Sequence, residues 1–162
     1  MKLEGSCHCG AVRFALDSQT PYPYMRCYCS ICRKTGGGGG YAINIMGLAE
    51  TMTVEGNDDI TTYQVALKEG GVSECRRHFC RRCGSALWVS DPRWPELVHP
   101  FASAIDTALP VPPKHVNIML DFAAPWADIP ASIPGDEGET HCPEYPGQSI
   151  EAWHKEHRLF GD

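Results

Sequence analysis

The chemistry open to this chain is set by nine cysteines. Seven of them fall in three short clusters: "CHC" (Cys7, Cys9), "CYCSIC" (Cys27, Cys29, Cys32) and "CRRC" (Cys80, Cys83), while Cys75 and Cys142 stand alone. Thiolates are soft ligands and strong nucleophiles, and clusters at this spacing point to a thiophilic metal rather than to disulfides. In an extended segment residues i and i+2 point to the same side, so a C-x-C pair can grip one ion. A C-x-x-C turn brings two sulfurs onto one ion at a Zn–S distance of about 2.3 Å. Gly10 and Gly84 follow two of the clusters, where such a turn often needs a positive φ.

Tetrahedral zinc takes four ligands, so pairing Cys7 and Cys9 with Cys80 and Cys83 closes one site and staples the N-terminal region to the middle of the chain. Cys27, Cys29 and Cys32 remain as three ligands, the number found where a fourth position is kept for substrate. The rival arrangement completes a second closed site with Cys75 or His78. Counting alone leaves both open.

The 162 residues suffice for one domain with a real core. No apolar run reaches the ~18–20 residues of a membrane span. The opening "MKLEGSCHCG" has no apolar stretch of the signal-peptide kind, so a soluble, cytoplasmic protein is expected. With 14 Lys+Arg against 20 Asp+Glu, the net charge of −6 argues against a nucleic-acid partner. The basic runs "CRRHFCRRC" and "CRK" sit among cysteines, where they offset thiolate charge.

The elements expected to carry these clusters are mostly strands. "AVRFAL" (Ala11–Leu16), "YAINIM" (Tyr41–Met46), "TMTVEG" (Thr51–Gly56), "TTYQVA" (Thr61–Ala66), "SALWVS" (Ser85–Ser90), "LVHPFASAI" (Leu97–Ile105) and "HVNIMLDF" (His115–Phe122) are rich in β-formers. A turn is expected at "GNDD" and an irregular acidic, proline-rich connector between Pro125 and Pro146. One helix is expected, in "GQSIEAWHKEHRLF", capped by Ser149 with Ile150, Trp153 and His157 on one face. Trp88, Trp94 and Trp126 read as core. His99 reads as a satisfied strand residue, His154 and His157 as a surface face, and Cys75 and Cys142 as plain thiols.

In order and spacing, "GSCHCGAVRF", "RCYCSICRKTGGG", "RHFCRRCGSALW" and "HVNIMLDFAAPWADI" resemble the glutathione-dependent formaldehyde-activating enzyme family, which includes centromere protein V. The resemblance runs from about Leu3 to Ile129. It implies a mainly β, Mss4-like fold of small packed antiparallel sheets with zinc knuckles. A zinc-binding domain over residues 1–130 would then be followed by an extension over 131–162, packed on the same domain and carrying the short helix. It also implies two zinc ions: a structural one on Cys7, Cys9, Cys80 and Cys83, and a catalytic one on Cys27, Cys29 and Cys32. The implied activity is that of a carbon–sulfur lyase joining a small thiol, glutathione, to formaldehyde as S-(hydroxymethyl)glutathione. Arg33, Lys34, Gly37 and Gly38 are the candidate contacts to that tripeptide, through its carboxylates and through bare backbone amides. A non-catalytic zinc-stabilised binding module is the alternative, an oligomer is possible, and no membrane partner is expected.

Overall fold

The protein is described from a computed structural model that covers residues 1–36, 38–112, 114–131 and 139–159. Gly37 therefore lies outside the described residues. The first strands are β1 (Lys2–Ser6), β2 (Arg13–Asp17), β3 (Tyr24–Cys27), β4 (Ala42–Asn44), β5 (Gly47–Leu48) and β6 (Thr53–Glu55). They are followed by β7 (Ile60–Tyr63), β8 (Arg76–Cys80), β9 (Ala86–Ser90), β10 (Leu97–Pro100), β11 (His115–Ile118) and β12 (Glu139–His141). Two short α-helices, α1 (Ser30–Gly36) and α2 (Ile150–Glu156), and single 3-10 turns at Ala49–Thr51, Asn57–Asp59, Ala102–Ala104 and Leu120–Phe122 complete the described elements.

The fold is mainly β, in three small sheets, and the chain divides into two interleaved compact units. The first comprises Met1–Gln19 and Met46–Leu109. It holds the sheets β1-β2-β6 and β5-β10-β9-β8-β7, antiparallel throughout. Its core follows from strand alternation: Leu3 on β1 and Phe14 and Leu16 on β2 turn inward, with Leu3 paired to Leu16. Phe14 packs edge-on against Trp88 of β9 at 5.2 Å. This contact joins the two sheets whose turns carry the "CHC" and "CRRC" clusters.

The second unit comprises Thr20–Ile45 and Pro110–Asp162 and holds the sheet β12-β11-β3-β4. Here β3 and β4 are antiparallel, while β11 runs parallel to both β3 and β12, a departure from purely antiparallel pairing. A parallel pair needs a long crossover, and the chain between Cys27 and His115 supplies it.

All seven expected strands form, each shorter than expected and with β2 and β7 shifted by a residue at one end, and five strands lack a clear sequence signal. Among these, β3 "YMRC" and β8 "RRHFC" mix charged residues with ligands, which hides the alternation. β12 lies inside the stretch expected to be irregular. It is held because Glu139 accepts from Asn117 Nδ2 (2.6 Å), bonds His115 Nδ1 (2.9 Å) and pairs with Arg26 Nη1 (3.3 Å).

Ser149 caps α2 as expected, its Oγ accepting from the Ala152 amide at 3.1 Å. His154, expected on the surface, is instead 2% exposed. Its Nε2 donates to the Tyr22 carbonyl at 2.6 Å, which extends the inward face of the helix beyond Trp153. Trp88 is buried and Trp94 half-buried, but Trp126 is 61% exposed and is not a core residue. No described helix is long and apolar enough to cross a membrane.

Phe14→Ala removes an aromatic ring from the contact between the two sheets. The expected cost is about 3–5 kcal/mol, read as a lower denaturant midpoint at an unchanged slope.

Candidate metal centres

The first unit brings Cys7, Cys9, Cys80 and Cys83 together, with all four sulfurs within 4.8 Å of one another. They are presented by two similar turns. In the β1–β2 turn the Cys7 amide donates to the Val12 carbonyl (3.0 Å), and the Val12 amide returns to Cys7 Sγ (3.2 Å). In the β8–β9 turn the Cys80 amide donates to the Ser85 carbonyl (2.9 Å) and the Gly84 amide to the Cys80 carbonyl (2.8 Å). Gly10 and Gly84 hold φ of +73° and +76°, the left-handed conformation each turn requires. The C-x-C pair thus sits in a turn rather than in the extended segment expected. Backbone amides aimed at sulfur favour its ionised form.

The turn between Cys80 and Cys83 is clamped by a residue the sequence reading missed. Asp59, 8% exposed, takes the Arg82 guanidinium at 2.6 and 2.7 Å, and its carbonyl accepts the Arg81 amide at 2.8 Å. Both arginines lie between the two sulfur ligands. The signal available was the "NDD" turn facing a basic knuckle, legible only once β7 and β8 are known to pair.

The second unit brings together Cys27, Cys29 and Cys32, again within 4.8 Å. Cys27 ends β3, while Cys29 and Cys32 flank the first turn of α1. That helix was not expected from the sequence, and its origin is local. Cys29 Sγ accepts from the Cys32 amide at 3.4 Å, the place of an N-cap side chain, and Arg33 and Lys34 in the last turn suit the helix dipole. Among the described residues no fourth His, Cys, Asp or Glu atom joins this group. Neither rival ligand does: Cys75 Sγ lies 3.5 Å from Arg77 Nη1, and the ring nitrogens of His78 meet the hydroxyls of Thr62 (3.1 Å) and Ser90 (3.0 Å).

Electrostatics in both clusters favour a cation. The Cys27 and Cys32 thiols, followed by backbone amides, hold Cys29 down at about 2. Cys27 is pushed far above its ordinary value, chiefly by its hydrogen bonds to Cys29 and Cys32. In the tetrad Cys83 is held at about 5, chiefly by the Ser85 hydroxyl and amide. Cys9 stands at about 11: the Ala11 amide pulls it down, and Cys7, Cys83 and Cys80 together raise it more. Adjacent thiols therefore cannot all ionise on their own. A bound dication lifts that restriction, and all-sulfur sets of this kind fit zinc. The spacing fits as well: Cys7 and Cys9 sulfurs are 3.5 Å apart and Cys9 and Cys80 3.7 Å, against about 3.8 Å for sulfurs around a tetrahedral ion with 2.3 Å bonds.

Of the remaining candidates, Arg33 is half-buried, Lys34 exposed, and the place of a Gly38 Cβ is open space. His99 is a buried residue of β10, with Trp94 edge-on at 5.3 Å. Cys75 and Cys142 belong to neither cluster, and burial pushes both thiols up.

The chain matches the model of the glutathione-dependent formaldehyde-activating enzyme family over residues 2–119. It is 56% identical over 154 residues to a Halomonas elongata protein provisionally named a glutathione-dependent formaldehyde-activating enzyme, covering 95% of each chain. It is also similar to a Rhodobacter sphaeroides protein of known crystal structure, at 28% identity and a TM-score of 0.53, over 68% of this chain and 92% of that one.

Two variants separate the roles of ligand and clamp in the first centre. Structural zinc contributes of order 10 kcal/mol in small modules, as much as the ~5–15 kcal/mol net stability of a domain. Cys80→Ser is therefore expected to give unfolded or insoluble protein, seen as loss of the cooperative melt. Asp59→Asn keeps all four sulfurs, and because Arg82 is largely exposed the loss of stability is small. The measurable consequence is faster zinc transfer to a chromogenic chelator, with the melt still cooperative.

Proposed function

Since this chain belongs to the glutathione-dependent formaldehyde-activating enzyme family, we propose that it is a cytoplasmic zinc-dependent carbon–sulfur lyase. Its reaction is the reversible joining of glutathione and formaldehyde as S-(hydroxymethyl)glutathione. The observation that carries this reading is the inequality of the two sulfur groups: four ligands in one, three in the other, with no fourth among the described residues. Cys7, Cys9, Cys80 and Cys83 then form the structural zinc site, and Cys27, Cys29 and Cys32 the catalytic one. Residues 1–130 form the zinc-binding domain on this reading, and 131–162 an extension packed on it.

Cys27, Cys29 and Cys32 would hold the zinc ion, which when bound would supply positive charge that favours ionisation of a thiol at neutral pH. The chain's own residues orient that chemistry. Three cysteinates carry −3, more than a dication neutralises, so the site favours delivery of a thiolate over polarisation of the aldehyde oxygen. α1 fixes two of the three sulfurs on one rigid turn, and the Cys29 carbonyl is tied to the Arg33 amide at 3.0 Å. In the reaction the glutathione sulfur donates an electron pair to the formaldehyde carbon and a C–S bond forms. The C=O π pair moves to oxygen, which takes up a proton. Nothing is oxidised or reduced, and the reverse sequence breaks the same C–S bond.

The test is NMR exchange spectroscopy of glutathione and formaldehyde with zinc-loaded protein. Wild type should accelerate formation of the adduct. Cys29→Ser should fold, hold one zinc instead of two and return the rate to that of the uncatalysed mixture, because two sulfurs bind the ion far more weakly and leave its geometry undefined. Retention of both metals, or of the acceleration, would overturn the reading in favour of a closed, non-catalytic module.

A further inference from the structure

Immediately after its last sulfur, helix α1 carries Arg33, whose guanidinium carbon lies 6.0 Å from the centre of the Trp126 ring. This pair differs from an ordinary surface contact in three ways. Arg33 Nε is buried yet has no hydrogen-bond partner among the described residues. No carboxylate among them lies within ion-pair distance of Arg33, whereas Arg26, Arg82 and Arg93 each find one. Trp126, although 61% exposed, is also held in place from below. Gly40, at φ +88°, leaves no room for a side chain: a Cβ there would lie 2.7 Å from Ala127 Cβ and 3.3 Å from the Trp126 ring. The end of the glycine run therefore closes directly onto the Trp126–Ala127 segment, and the Tyr28 hydroxyl donates to the carbonyl of the next residue, Asp128, at 3.4 Å.

We propose that Arg33, laid on Trp126, reads the carboxylate of an acidic thiol and so makes the three-sulfur centre selective for thiols that carry one. The inference rests on the reading of that centre as a thiol site and adds its specificity determinant. A guanidinium presents a planar fork of donors that matches a carboxylate with two parallel bonds. The cation–π contact with Trp126 restrains the guanidinium, so less freedom is lost when the carboxylate docks. Arg33 directly follows the ligand Cys32 in the chain, and the carboxylates of glutathione lie several bonds from its sulfur, a span comparable to the length of an arginine side chain. Glutathione has two carboxylates. A neutral thiol has nothing to offer the fork and leaves the guanidinium unmatched.

Calorimetric titration of zinc-loaded protein with three thiols tests this: glutathione, glutathione diethyl ester and 2-mercaptoethanol. Arg33→Met keeps the aliphatic stem and removes the fork. It should raise the Kd for glutathione by about tenfold or more, flatten its salt dependence, and leave the ester, 2-mercaptoethanol and the content of two zinc ions unchanged. Arg33→Lys should recover part of the glutathione affinity through charge alone, and Trp126→Leu should lose an intermediate amount. Equal weakening of all three thiols, or no weakening of any, would overturn the role of Arg33 while leaving the thiol site standing. If wild-type protein binds none of the three, the thiol-site reading falls, and this inference with it.

Discussion

Mutual repulsion among clustered thiolates is the constraint on which the rest of this structure depends. Seven sulfurs are gathered into two groups by backbone turns, and within each group the ionised form of one thiol disfavours that of its neighbours. This is visible in the opposite displacement of Cys29 and Cys27, two residues apart. A cluster of that kind is a poor use of buried space unless a dication satisfies it. The surrounding backbone follows the same logic, since the amides of Val12 and Cys32 donate to sulfur.

The two groups meet the constraint by different means. The tetrad draws on two sheets of one unit and ties a hairpin turn to a turn some seventy residues away, as in the Cys9–Cys80 contact at a separation of 71. Metal bound there offsets the entropy of a long closed loop. The triad gathers its sulfurs from one strand end and one helical turn, so it closes almost no loop and contributes little to the order of the chain. A site that does little for folding is free to leave a coordination position open.

Much of this was legible in the sequence because cysteine spacing is a short-range signal. The division into four and three sulfurs, the strands with clean alternation such as "SALWVS", and the Ser149 cap all depend on residues within a few positions of one another. What escaped depends on partners far apart in the chain. β12 exists because Glu139 finds Arg26, His115 and Asn117, and His154 is buried because Tyr22 offers a carbonyl across the unit. Trp126 looked like core because tryptophan usually is. Its ring lies close to Gly40 and stays 61% exposed, which no pattern in "AAPWAD" announces. α1 was missed for a different reason: its cap is a sulfur, outside the Ser, Thr, Asp and Asn residues that mark helix starts.

Burial in the two groups runs opposite to what ligand count alone suggests. The closed tetrad keeps two of its cysteines, Cys9 and Cys83, exposed, whereas in the triad Cys27 and Cys32 are buried and Cys29 is half-buried. A complete coordination shell has no position for water to occupy, so it tolerates the surface. An incomplete one is protected only if the protein withdraws it, and withdrawal also strengthens every charge interaction made there, because the effective dielectric falls. Restricting water while leaving room for one ligand is what a centre with an open position requires. On the proposed reading, the burial of Cys27 and Cys32 and the short helix that carries Cys32 act toward that result.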